Sequence, residues 1–134
     1  MIRERLISAI RQTYPEKAFT FSAPPEPIAS LPGNIPQVGL LQIYDEGDEA
    51  TVCFTDVTHS HFSCYETDKT QEQREEIITG DVMDFLEALF SDQVLLYRSR
   101  SKSMGGWVQL PADEPLRIEA DLEYFLWSRV YNET

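Results

Sequence analysis

Val38-Gly39-Leu40-Leu41-Gln42-Ile43-Tyr44, then Asp45-Glu46-Gly47-Asp48-Glu49, then Ala50-Thr51-Val52-Cys53-Phe54-Thr55-Asp56-Val57: the reading of this stretch decides the fold class. Two apolar, β-prone runs flank five residues of turn chemistry, which predicts a β-hairpin. In the second run Val52 and Phe54 alternate with Thr51, Cys53 and Thr55. Both sets hold apolar material, so partial cover is expected on each face of the strand. Residues 59–65 either extend that strand or form a third one after a bend.

Downstream, Thr70-Gln71-Glu72-Gln73 fits the capping-box pattern and predicts a helix start. Its apolar stripe is Ile78, Val82, Phe85, Leu86, Leu89 and Phe90, at helical spacing. Gly80 weakens the middle by about 1 kcal/mol relative to alanine and allows a break at residues 79–81 as the alternative. Residues 94–100 and 106–110 then read as two strands joined by the polar loop 101–105, a second hairpin. Past Pro111 and Pro115, Ile118, Leu122, Phe125, Leu126 and Val130 share one helical face, so a last helix is expected. The aromatic density of Tyr124, Phe125, Trp127 and Tyr131 also permits a strand over 118–131.

Upstream, Ile2, Leu6, Ile7 and Ile10 fall on one face of a short amphipathic helix that Pro15 ends. Residues 18–22 allow a short strand. Pro24, Pro25, Pro27, Pro32 and Pro36 predict an extended, irregular connection over about 23–37. The order helix, hairpin, helix, hairpin, helix gives an α+β class: a small single domain over 1–134, with a mainly antiparallel sheet of two β-hairpins packed against amphipathic helices. A chain of 134 residues has the size of one domain with one core.

Acidic residues number 23 against 11 basic ones, for a formal net charge of -12. Such a surface repels phosphate backbones and anionic membranes, so no nucleic-acid and no membrane partner is expected. The same field favours encounter with a basic protein partner. Apolar runs are strand-sized, far below the roughly 20 residues of a membrane span. No apolar segment with a small-residue cleavage site follows Arg3, Glu4 and Arg5, which gives a cytoplasmic expectation. Cys53 and Cys64 lack CxxC spacing and read as reduced, largely buried thiols.

The densest candidate chemistry is Asp56-Val57-Thr58-His59-Ser60-His61-Phe62-Ser63-Cys64. On a strand, His59 and His61 share a face and are candidate metal ligands, with Asp56 or Cys64 as a third. Cys64 lies three residues from His61 and so points to the opposite face, which disfavours a Cys–His nucleophile pair. The turn residues Asp45, Glu46, Asp48 and Glu49 read as solvated, without an EF-hand pattern. Gly105-Gly106 is no phosphate loop, since no Lys-Ser or Lys-Thr follows and a strand opens there. Arg98, Arg100 and Lys102 alternate on one strand face, to hold an anion, pair with carboxylates or guard a strand edge.

The acidic segment of the second helix contributes Glu72, Glu75, Glu76, Asp81, Asp84 and Glu87. With Asp45, Glu46 and Asp48 of the turn, these form the candidate partner-binding face. Trp107, Tyr124, Trp127 and Tyr131 are candidate aromatic anchors. A small, acidic, compact profile without a catalytic signature is similar to that of standalone bacterial inhibitor or immunity proteins, a likeness of profile alone. The expected function is an acidic protein-binding module that docks a basic partner, without a cofactor. The alternatives are a small metal-dependent or acid–base enzyme using His59 and His61, and a subunit that self-associates through a sheet edge or its aromatic C-terminal segment.

Overall fold

In the computed structural model, which describes residues 2–102, 104–110 and 121–131, the hairpin of residues 38–57 lies inside a larger antiparallel sheet. Its strands are β1 (Thr20–Phe21), β2 (Ala29–Pro32), β3 (Leu40–Asp45), β4 (Glu49–Phe54) and β5 (Thr58–Ser63), paired in sequence order. The β3–β4 turn is tightened by Asp45, whose Oδ1 accepts from the Gly47 amide at 2.8 Å. Gly47 sits there at φ 89°, a conformation that glycine adopts without steric cost. A second antiparallel sheet consists of β6 (Val94–Ser99), β7 (Gly105–Gln109) and β8 (Leu122–Phe125), with β6 in the centre.

Register decides which face is buried. Leu41 opposes Phe54 and Ile43 opposes Val52, so all four side chains project to one side of the first sheet. Helices α1 (Ile2–Thr13) and α2 (Gln71–Phe90) cover that side. Buried Ile2, Leu6 and Ile10 come from α1, and Ile78, Val82, Phe85, Leu86 and Leu89 from α2. Val94, Leu96, Phe125 and Trp127 join the same apolar cluster, so both sheets share one core. The other face of the first sheet carries Gln42, Tyr44, Thr51, Cys53, His59 and His61, and it is mostly polar. Cover of β4 is therefore fullest on the helix side, while on the other face Thr51 is buried and Cys53 half-buried.

At the start of α2, Thr70 Oγ1 accepts from the Gln73 amide at 3.1 Å, and Gln73 Oε1 accepts from the Thr70 amide at 2.9 Å. That is the capping box read from sequence. The helix runs unbroken through Gly80. It ends where Asp92 takes φ 58°, a left-handed conformation that aspartate tolerates better than most residues. The Asp92 amide then donates to Leu89 O and the Gln93 amide to Ala88 O.

Three expectations are revised. The Pro-rich connection is not irregular throughout: Ala29–Pro32 is a strand between β1 and β3. Ala29–Pro32 alternates in burial, and its proline stands at the last strand position, opposite Leu40, where the preceding ladder is not interrupted. The last helix is replaced over Leu122–Phe125 by β8, which pairs with β6. Glu123 and Phe125 oppose Arg98 and Leu96, while Tyr124 packs with Leu95 and Leu126 on the other face. A strand covered on both faces shows no clean alternation, and its apolar residues mimic helical spacing. Ile118, Pro111 and Pro115 lie outside the described residues. Finally, two hairpins understate the sheets, because β5 extends the first into a meander and β8 adds a strand to the second.

Candidate functional site

The acidic residues of α2 separate into two groups. Those turned toward neighbouring elements are bonded. Glu75 is buried, accepts from Gln71 Nε2 at 3.1 Å and lies 3.7 Å from Arg5 Nε. The Gln71 hydrogen bond first, and the Arg5 charge with it, hold its carboxyl below the usual carboxylate range. Glu72 stands 3.3 Å from Arg5 Nη2, and Glu87 accepts from Tyr14 Oη at 2.8 Å. Burial and then that bond to Glu87 push the Tyr14 phenol above its ordinary range. By contrast Glu76, Asp81 and Asp84 are exposed and have no hydrogen-bond or ion-pair partner among the described residues.

Asp81 and Asp84 edge a groove of about 360 Å³ whose other lining residues are Phe62, Phe85, Trp107 and Gln109. Phe85 is the hub: its ring meets Phe62 edge-on at 5.6 Å and Trp107 edge-on at 4.8 Å. Three elements make this wall, since Phe62 comes from β5, Phe85 from α2 and Trp107 from β7. Phe62 opposes Ala50, next to the β3–β4 turn, so exposed Glu46 and Asp48 lie toward the same end of the β4–β5 pair. Asp45 is half-buried and occupied by Gly47. An apolar wall with two open carboxylates suits a lysine or arginine side chain, whose stem covers aromatic surface while its head meets anions.

Sequence reasoning placed Asp84 in the docking face and Trp107 among the anchors, but missed Phe62 and Gln109. Nothing local in the sequence joins residues 62, 85 and 107. Their meeting depends on β5 and β7 lying side by side.

His59 and His61 do share a face, with ring centroids 5.1 Å apart and the rings edge to face. His61 Nδ1 lies 2.9 Å from Thr51 Oγ1 and 3.2 Å from Glu49 Oε1. Ser63 Oγ donates to the second oxygen of Glu49 at 2.7 Å. Among the described residues, no group of three His, Cys, Asp or Glu side chains is placed to hold a metal ion. Asp56 lies in the β4–β5 turn, and Cys64 packs against the core. Cys53 opposes His59 across the β4–β5 pair, and burial pushes its thiol up, away from the reactive thiolate.

A wider cleft of about 710 Å³ lies between the β4–β5 turn and the start of β7, and includes Asp56, His59, Arg98, Ser99 and Lys102. Its guanidinium is committed. Arg98 Nε donates to Glu123 Oε2 at 2.8 Å, and Nη1 donates to the carbonyls of Gln37 and Asp56 at 3.1 and 3.0 Å. The Arg98 hydrogen bond first, with Arg100 further off, holds the Glu123 carboxyl below its ordinary value. Because β6 is a central strand, Arg98 and Arg100 do not guard a sheet edge. The carboxylate-pairing reading of that basic run is the one realised, and it ties β6 and β8 to the first sheet.

Among the described residues, the fold and groove define a small α+β protein with two antiparallel sheets, two α-helices and an open acidic and aromatic groove. Among the described residues no helix is long and apolar enough to cross a membrane. Family models, curated proteins and solved structures were all compared with the chain, and none matches.

Proposed function

We propose that this chain is a protein-binding module that docks a basic partner, in the manner of an inhibitor or immunity-type protein. The observation that carries the reading is the groove of Phe62, Phe85 and Trp107 edged by Asp81 and Asp84. Interfaces draw energy from a few aromatic anchors and draw speed and selectivity from complementary charge. A formal charge of -12 adds long-range attraction for a cationic partner, which salt screens beyond about 10 Å at 0.1 M. The bonded carboxylates Glu72, Glu75 and Glu87 serve α2 packing, while Glu76, Asp81 and Asp84, with Glu46 and Asp48 of the turn, meet the partner.

The test uses a seven-residue peptide that alternates lysine with valine, titrated calorimetrically at low and high salt. Binding is expected at low salt, weakening at high salt. Asp81→Asn with Asp84→Asn is expected to weaken it about 30-fold, since each lost charge-assisted contact contributes on the order of 1 kcal/mol. Binding indifferent to both salt and the two substitutions would sink the reading.

A further inference from the structure

The groove lies where two sheet edges face each other without joining. Among the described residues, strand β5 is the last of the first sheet and pairs only with β4, while β7 is the first of the second and pairs only with β6. Gly105 of β7 lies beside Val57, just before β5, and Phe62 and Gln109 near their far ends border one groove, so the two strands run in the same direction. At one end Gly105 is so close to Val57 that a Cβ would collide with the Val57 carbonyl oxygen, and it would lie 2.8 Å from the Tyr97 carbonyl. At the other end Phe62 and Gln109 stand on either side of the open groove. The edges thus touch at Gly105 and Val57, and the groove beside Asp81 and Asp84 forms a wedge at their other end.

A strand paired on one side presents the N–H and C=O groups of alternate residues outward on the other. Natural edges are commonly blunted with lysine, proline or a bulge. β5 reads Thr58-His59-Ser60-His61-Phe62-Ser63 and has neither lysine nor proline. It is an edge left fit for pairing, set against a groove with a shape and a charge.

We propose that the basic partner enters this wedge as an extended segment and adds a strand to the free edge of β5. This deepens the docking reading above and rests on it. Side chains of an added strand alternate in step with those of its neighbour. The residue beside Phe62 therefore points to the helix side, where its stem lies along the aromatic wall and its basic head reaches Asp81 and Asp84. Its neighbours in the segment point to the opposite, polar face. Main-chain pairing supplies affinity, and the one inward basic residue supplies selection. Charge complementarity selects this occupant over a second copy of the chain, because two copies would each bring a charge of -12.

Two measurements with the lysine–valine peptide test the inference separately from the docking reading. Amide hydrogen exchange followed by NMR is expected to slow by about 10-fold or more at alternate residues of β5 when the peptide binds. Peptides N-methylated at the amides facing β5 are expected to bind about 10-fold more weakly than the parent, whereas methylation of the intervening amides changes little. If the parent binds and depends on Asp81 and Asp84 but both methylated forms bind equally well, strand addition is wrong and docking stands. No binding of the parent at low salt removes both. A dimer of the free protein with β5 amides already protected would overturn the proposal in favour of self-pairing.

Discussion

Two places where the sheets meet handle charge in opposite ways. At the Arg98 junction every donor with a described partner turns inward: the guanidinium bonds Glu123 and the carbonyls of Gln37 and Asp56, and it lies 5.0 Å from the Phe125 ring centre. Beside it, Asp121 accepts from Ser99 at 2.6 Å and Ser101 at 2.9 Å. At the β5–β7 groove, Asp81 and Asp84 face an aromatic wall with nothing bonded to either among the described residues. The first arrangement fastens the second sheet to the first. The second leaves binding capacity unspent, which is what a docking surface needs and a structural joint cannot tolerate. Charge at this protein's surface is thus informative only once its partners are known.

The sharpest way to break that contrast is Arg98→Ala. It leaves the carbonyls of Gln37 and Asp56 without this donor and Glu123 paired with the more distant Arg100, and is expected to cost about 3 kcal/mol in urea unfolding, as one charged and two carbonyl hydrogen bonds are lost. Arg98→Lys should recover only part, since an ammonium on a single stem cannot span three acceptors in one planar fork. A loss below 1 kcal/mol would mean the junction fastens nothing. The pH profile sharpens the point. Glu123 has a folded pKa depressed below its ordinary 4.5 by Arg98. Its contribution is therefore fully present above that ordinary value and is lost as pH falls through the folded one. Unfolding measured across the acid range should show a smaller acid-side loss in Arg98→Ala than in the parent chain.

The unequal legibility of the two regions follows from how far apart their residues lie in sequence. The α2 capping box and apolar stripe, the β3–β4 hairpin and the shared face of His59 and His61 are local patterns, and each is present where the sequence places it. Ala29–Pro32 was hidden because prolines crowd around a four-residue strand and one of them, Pro32, closes its ladder opposite Leu40. At Leu122–Phe125 the helical spacing outweighs the strand that the aromatic density also permits, because burial on both faces erases alternation. Acidity marked α2 as a whole, but could not separate Glu75, captured by Gln71 and Arg5, from Asp84, left open. That distinction depends on α1 packing against α2, with Arg5 and Glu75 70 positions apart. Phe62, Phe85 and Trp107 met for the same kind of reason, through the approach of β7 to β5 at Gly105.

A moderate effect is expected on the open face of α2, and in the favourable direction. Gly80 sits mid-helix, and a Cβ there would meet nothing within 4 Å. Gly80→Ala should stabilise by about 0.5–1 kcal/mol, by raising helix propensity and restricting the unfolded chain. Because Gly80 makes no side-chain contact with the groove, peptide affinity should stay within about 2-fold of the parent, a change of some 0.4 kcal/mol. Urea unfolding and calorimetry on the same variant check both halves. If stability rises while binding collapses, the face needs flexibility at Gly80, and the groove is not the preformed surface described here.

The smallest expected effect on stability carries the most weight for function. Asp81 and Asp84 are one helical turn apart, exposed, and unbonded among the described residues, so their charges repel weakly along α2. Asp81→Asn and Asp84→Asn should each change unfolding free energy by less than about 0.5 kcal/mol, with a slight gain where the repulsion is relieved. Glu75→Gln is the control from the same helix, since it removes the charge that faces Arg5 and should cost about 1 kcal/mol or more. Natural helices do not need two unpaired carboxylates beside three aromatic rings in order to fold. If removing both leaves stability unchanged and abolishes the salt-sensitive part of peptide binding, their presence is explained by a partner. If either substitution destabilises as much as Glu75→Gln, the groove is another joint like that at Arg98, and the contrast between the two regions disappears.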